Sequence, residues 1–260
     1  MAYRTGVLGR DISYSLSPKI HKLFAEEAGI DLNYEIYDVE DDPIDFIWEF
    51  FKEGGTGLNI TKPYKEIVAQ EFSRSLKTRD SVNCLWDHDH DIHSASTDGS
   101  GFIADLNSKN ISIEDKNILL FGLGGAGKSI LKELSQVKNR YIANRSENKV
   151  ELVIQKYAYN NLEKYSGEPV HLFISCAEKF DLESLNFIEN INFATNGSIY
   201  DINYKSETNI ILSEMAIVDE NRLYDGLGML VEQAADSFEH WFEHRPNTEE
   251  AKKILLDEWL

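Results

Sequence analysis

The 260-residue chain sets 45 acidic against 26 basic side chains, a formal net charge of −19, with 42% hydrophobic and 27% charged residues. This is ordinary for a globular protein of one large or two modest domains, and the charge argues against nucleic acid, whose phosphates need a basic face. No stretch is long and apolar enough to span a membrane, the N-terminus lacks a signal peptide's apolar core, and the two cysteines, Cys84 and Cys176, make no metal pattern or disulfide framework, so a cytoplasmic protein is expected.

In chain order, Thr5 to Gly9 reads as a short strand. The polar loop Ser13-Tyr-Ser-Leu-Ser-Pro18 then opens a helix over Lys19 to Ala28, with proline at its start. Leu32 to Val39 alternates like a strand, and Phe46, Ile47, Phe50 and Phe51 mark one face of a helix over Asp45 to Glu53. A glycine break at 54–57 leads to a second polar loop, Asn59-Ile-Thr-Lys-Pro-Tyr-Lys65, again followed by a helix. Ser81 to Trp86 and Ile92 to Ser96 suggest two strands joined by a turn at Asp87-His-Asp-His90. The acids and histidines of that turn, with Asp91 and His93, are of metal-ligand type, but they sit where a hairpin turn is expected, and no metal is assigned.

Helical spacing from Gly101 to Leu106 carries the chain into a second α/β unit, with strands at Ile118–Phe121, Tyr141–Ala143, Leu172–Ser175 and Ile199–Ile202. The C-terminal segments Met229 to Phe242 and Asn247 to Leu260 read as helices that fold back on the first domain, with Trp241 and Trp259 as core residues. The expected division is 1–100 with 229–260, and 101–228.

The first strand of the second unit runs into Gly122-Leu-Gly-Gly-Ala-Gly-Lys-Ser129 and out into a helix. Backbone N–H groups and the positive end of a helix dipole converge there, a place suited to phosphate. Gly122-x-Gly124-x-x-Gly127 fits the dinucleotide fingerprint, and Gly122-x-x-x-x-Gly127-Lys128-Ser129 fits the phosphate loop of nucleoside-triphosphate enzymes. The kinase reading needs a strand ending in a Mg²⁺-holding carboxylate. Leu172 to Ser175 offers none, and Asp201 is a weak substitute. The dinucleotide reading needs a ribose-reading residue about 20 positions on, where Asn144-Arg145-Ser146, with Lys149 behind, favours a 2′-phosphate and so NADP over NAD.

From Gly6 to about Phe242 the chain resembles the shikimate dehydrogenase family. The likeness rests on Ser15-Leu-Ser17-Pro18, Asn59-Ile-Thr61-Lys-Pro63-Tyr-Lys65, Val82-Asn83, Thr97-Asp98-Gly99, Gly122-x-Gly124-Gly125-Ala126, Asn144-Arg145-Ser146, Tyr200-Asp201-x-x-Tyr204 and Gly226-Leu-Gly-Met229-Leu230-x-x-Gln233. It implies two α/β domains, an N-terminal substrate domain and a Rossmann-like dinucleotide domain, and NADP-dependent reduction of 3-dehydroshikimate.

The resemblance also implies roles. Ser15 and Ser17, helped by Tyr204, would hold the substrate carboxylate; helix capping is the plainer use for the two serines. Asn59, Thr61, Asn83 and Gln233 would read ring hydroxyls. Lys65 would stabilise the oxygen of the reduced carbonyl, with Asp98 holding it and a substrate hydroxyl in register, and either of the two could transfer the proton. A lysine at a helix start works against the dipole and needs such a partner. Gly122, Gly124, Gly125, Ala126, Asn144, Arg145, Ser146, Lys149, Gly226 and Met229 would bind NADP, in a monomer or homodimer.

The chain departs from the family's pattern at Asp11, Cys84 and Ser96, and in a shortened segment from Ser175 to Lys179. That segment leaves a non-catalytic shikimate-binding protein as the second reading, with the kinase third.

Overall fold

A computed structural model describes residues 2–75 and 78–257, so Trp259 lies outside the described residues. The chain divides into two compact units, residues 1–105 with 228–260, and residues 106–227.

The first unit opens with β1 (Tyr3–Gly9), α1 (Ser17–Ala28), β2 (Leu32–Asp38), α2 (Pro43–Lys52), β3 (Gly57–Ile60) and α3 (Lys65–Phe72). A hairpin of β4 (Cys84–His88) and β5 (Asp91–Ala95) and then α4 (Asp98–Ser108) follow. Pro43 stands at the first position of α2, and Asp42 caps it by accepting from the Ile44 N–H at 2.8 Å. The sheet order is β2-β1-β3-β4-β5, parallel through β2, β1 and β3 and antiparallel beyond. Leu8, Leu58, Ile60 and Leu85 meet Ile47 and Phe50 of α2 and Val68 and Phe72 of α3 in one apolar core.

The second unit alternates strand and helix: β6 (Asn117–Phe121), α5 (Gly125–Glu133), β7 (Asn139–Ala143), α6 (Glu147–Tyr157), β8 (Leu162–Lys164), β9 (Val170–Ser175), α7 (Leu182–Glu189), β10 (Phe193–Asp201), α8 (Glu207–Met215) and β11 (Leu223–Tyr224). All pairings are parallel, in the order β11-β10-β9-β6-β7-β8. Relabelled from β6, this is the 3-2-1-4-5-6 order of a doubly wound dinucleotide sheet, with its switch point between β6 and β9. Residues 118–121 are buried without alternation, as a central parallel strand requires. The chain then returns to the first unit through α9 (Leu227–Phe242) and α10 (Thr248–Asp257).

Most differences from the sequence reading concern ends. The hairpin is one pair tighter than expected, its turn being Asp89-His90, both in the left-handed region. The division between units falls at residues 105/106 rather than 100/101, because α4 runs from Asp98 to Ser108. α6, α7 and α8 were not anticipated, nor were β8 and β11, which are only three and two residues long. Trp241 is largely buried, its indole N–H donating to Leu85 O at 3.1 Å.

Within the first unit His21 is fully buried, and neither ring nitrogen finds a hydrogen-bond partner. Burial pushes its pKa from 6.5 down to about 3, the nearby Asn59 amide opposing this only in part. Folded His21 is therefore neutral, while the unfolded chain takes up a proton below pH 6.5. Stability from this site is complete above 6.5 and drains away as pH falls toward 3. Replacing His21 by Phe should flatten the acid-side loss of stability by about 1.4 kcal/mol per pH unit between about pH 6 and 4. Urea titrations of both proteins across that range check this; parallel slopes would contradict a buried neutral imidazole.

Candidate active site

The loop after β3 turns directly into α3, so Lys65 is the first residue of that helix. Its Nζ donates to both carboxylate oxygens of Asp98, at 2.8 and 2.7 Å. Asp98 opens α4 with its side chain only 5% exposed, against 19% for Lys65. This is the partner that a lysine at a helix N-terminus calls for.

Asn83 ties the pair to the rest of the first unit. Its Nδ2 lies 3.1 Å from Asp98 Oδ1, 2.9 Å from Thr97 Oγ1 and 3.0 Å from Gln233 Oε1, and its Oδ1 accepts from the Thr97 N–H at 2.7 Å. Asn59, at the end of β3, donates to Asn83 O at 3.2 Å and to Ser237 Oγ at 2.9 Å. Gln233 and Ser237 are one turn apart on α9, so a C-terminal helix closes the site. Ser15 Oγ donates to Ser17 Oγ at 3.2 Å, and Ser17 N–H to Ser15 Oγ at 3.3 Å. Ser15 thus satisfies one free N–H at the start of α1, although the N-cap residue itself, Leu16, gives no side-chain cap. Thr61 is half-buried in the same loop as Lys65, its N–H donating to Leu8 O at 2.9 Å.

Eight of the nine expected substrate residues thus lie in the first unit. Tyr204 belongs to the second, in the loop after β10. That loop is organised by the fully buried Asp201, which accepts from Asn203 Nδ2 at 2.8 Å, Thr208 Oγ1 at 2.5 Å and Asn209 Nδ2 at 2.7 Å. Burial raises the Asp201 pKa to about 6, against the pull of those donors.

In the second unit Gly122 has φ of +102°, and a Cβ there would lie 2.9 Å from the Cys176 carbonyl carbon just after β9. Gly127 approaches so closely that its Cβ would lie 2.2 Å from Gly122 O. At Gly124, the N-cap of α5, a Cβ would meet nothing within 4 Å. Open space thus stands over Gly124, with Gly125 and Ala126 half-buried behind it in the first turn, and a pyrophosphate at a helix N-terminus takes such a place. Asn144 links this turn to β7, its Oδ1 accepting from the Leu123 N–H at 3.2 Å.

Beside it a cavity of about 180 Å³ is floored by Phe121, Phe187 and Val150 and rimmed by Asn144, Arg145, Lys164 and Tyr165. Arg145 is exposed, 3.6 Å from Asp181, and Lys164 reaches Glu147 at 2.7 Å. Glu147 and Glu183 line it as well, so its two cations are matched by two carboxylates around an apolar floor that would suit an adenine. Ser146 and Lys149 are exposed at the start of α6 and do not line it. Lys164 was missed in the sequence because the three-residue strand that carries it has no pattern. Gly226 packs on Ile202, and Met229 is buried in α9 of the first unit.

The phosphate-loop alternative fares poorly. Only residues 122–124 separate β6 from α5, Ser129 is buried inside the helix, and the Asp201 carboxylate is already engaged by its own loop. Among the described residues no group of three or more His, Cys, Asp or Glu side chains could hold a metal ion, and no helix is long and apolar enough to cross a membrane.

A family model described as the shikimate dehydrogenase substrate binding domain matches residues 7–85, and one described as the shikimate 5′-dehydrogenase C-terminal domain matches residues 226–256. A curated relative from Legionella pneumophila (strain Corby), named shikimate dehydrogenase (NADP(+)), is 34% identical over 98% of each chain. Among solved structures, an Ael1 enzyme from Pseudomonas putida superposes with a TM-score of 0.83 at 27% identity, covering 98% of each chain. The shikimate 5-dehydrogenase of Thermus thermophilus, solved with NADP(H) and shikimate, has the same fold, with a TM-score of 0.80 at 20% identity over 96% of this chain and 97% of that one.

Because Gly124 faces open space, Gly124→Val should leave the melting temperature within about 2 °C while abolishing the thermal shift produced by NADP. A retained shift would mean that no dinucleotide crosses this turn.

Proposed function

We propose that this chain, which belongs to the shikimate dehydrogenase family, catalyses the reversible NADPH-dependent reduction of 3-dehydroshikimate to shikimate. The observation that carries the reading is the Lys65–Asp98 pair, held at 2.7–2.8 Å by a helix start on each side and joined through Asn83 to Gln233. When bound, reduced nicotinamide supplies hydride to the carbonyl carbon. The chain's own residues then have three tasks.

One task is charge. An ammonium has three N–H donors, and two of those on Lys65 are directed at Asp98. The third is left to meet the substrate oxygen, stabilise the negative charge that develops there, and deliver its proton. In the reverse direction the same nitrogen takes the proton from the hydroxyl. A second task is registration. Asp98 Oδ1 accepts from both Lys65 and Asn83, whereas Oδ2 accepts from Lys65 and keeps a lone pair with which to hold a neighbouring substrate hydroxyl. Asn59, Thr61, Asn83 and Gln233 would read the remaining hydroxyls, and Ser15 and Ser17 the carboxylate. Neutral donors suit that carboxylate, since they orient it without adding a cation that would compete for Asp98.

The third task is choice of cofactor. Arg145 and Lys164 on the rim of the second unit's cavity favour NADP over NAD. Cys84 and Cys176, neither of them in a disulfide, suit a reducing cytoplasm.

The first test is reduction of NADP or NAD by purified protein with shikimate, followed by nicotinamide absorbance. Brisk NADP reduction supports the reading. Shikimate binding without turnover would replace it with a non-catalytic homologue. Lys65→Ala should lower kcat by a factor on the order of 10³ or more with the fold intact; near-wild-type turnover would remove Lys65 from the mechanism. Arg145→Ala should raise KM for NADP about tenfold and leave KM for NAD nearly unchanged. An equal effect on both would refute the 2′-phosphate reading.

A further inference from the structure

Behind Asn59, aromatic side chains from three separate elements make a stack to which the proposed reaction gives no part. The imidazole of His21, on α1, packs against the rings of both Tyr34 on β2 and Trp241 on α9, which also meet each other at 6.2 Å. It is 4.4 Å from the first at 13° and 4.9 Å from the second at 23°. With both nitrogens unpartnered and buried, His21 is a flat neutral plate. Trp241 is anchored in turn by its bond to Leu85 O. Packed against both His21 and Trp241, the Tyr34 ring directs its hydroxyl at Asn59 Oδ1, 2.9 Å away. Burial drives the Tyr34 phenol well above its usual pKa, with the Ser17 hydroxyl pulling the other way, so the group stays a donor.

The consequence lies in the hydrogen-bond capacity of Asn59. A primary amide offers two donors and two acceptor lone pairs. Both donors of Asn59 are engaged inside the protein, by Asn83 O and Ser237 Oγ, and Tyr34 occupies one lone pair. The Ser237 hydroxyl gives its own hydrogen to Gln233 O at 3.0 Å, so toward Asn59 it accepts. The amide is thereby pinned at three points. What is left is a single lone pair on Oδ1, with no N–H remaining.

We propose that Tyr34, backed by His21 and Trp241, is a positioning residue that fixes Asn59 as a one-way acceptor for a substrate hydroxyl. This rests on the reading of Asn59 as a substrate-facing residue, and it sharpens that reading. At this position the site takes a group that donates a hydrogen and rejects a carbonyl or an ether, because two acceptors would then face each other unpaired. Tyr34 does not touch the reacting atoms; it acts through Asn59.

The test is a double-mutant cycle in the full-length protein. Tyr34→Phe keeps the ring stack and deletes the hydroxyl. It should raise KM for shikimate about tenfold while kcat stays within about threefold and KM for NADP is unchanged. Asn59→Ala, or Asn59→Ser if the alanine variant does not fold, should raise KM for shikimate at least as much. Adding Tyr34→Phe to it should then change nothing further, since the hydroxyl has no amide left to hold. Wild-type KM in Tyr34→Phe overturns the proposal, and so does a Tyr34→Phe effect that simply adds in both backgrounds, as a general packing role would give. If Asn59→Ala itself leaves KM for shikimate unchanged, the substrate assignment of Asn59 has failed and takes the proposal with it. An Asn59 effect without a Tyr34 effect sinks the positioning role alone.

Discussion

A carboxylate with almost no exposure must have its lone pairs answered, and the first unit is built around answering those of Asp98. Lys65 supplies charge and Asn83 supplies an amide. Asn83 in turn must be satisfied, which brings in the Thr97 backbone and Gln233, and through Thr97 and Ser237 the web reaches Asn59. Such a web adds little to stability beyond what apolar packing of the same shape would give, since desolvation offsets most of the Coulomb gain. Its yield is geometric: a set of donors and acceptors whose directions are settled before any ligand arrives.

The second unit meets a different difficulty. In a chain of net charge −19, a phosphorylated ligand is attracted only where the local field is reversed. The α5 terminus does this with aligned backbone dipoles and costs no side chain. The cavity beside it sets Arg145 and Lys164 among Glu147 and Glu183, and each cation has an acidic neighbour, Asp181 or Glu147. Those carboxylates hold the cations in place when no phosphate is present. They also mean that a ligand phosphate competes for the cations rather than finding them idle.

How much of this could be read from the sequence follows from where the physics is local. The run Ile118 to Phe121 into a glycine turn announces its strand and helix, because an uninterrupted apolar run and a positive-φ glycine are local facts. Lys65 at a helix start signals its need of a partner for the same reason, and the partner anticipated, Asp98, is the one found. The Asn59–Ser237 contact joins residues 178 positions apart and leaves no local trace. Nor does the stack of His21, Tyr34 and Trp241, since each residue alone reads as ordinary core. Lys164 was invisible because a three-residue edge strand has no period to detect.

The two units differ in one respect that bears on how the chain comes to be folded. Residues 106–227 form their unit from one continuous segment, whereas the other combines residues 1–105 with 228–260. On the ribosome the inserted segment can fold as soon as it emerges. The unit that precedes it in sequence must wait, because Gln233 and Ser237, which complete its polar network, and Trp241, which packs behind it, are made only after residues 106–227. Until then its donors face water, and no small ligand finds them in register. Nascent chains therefore lack these contacts until the segment after residue 227 has been made.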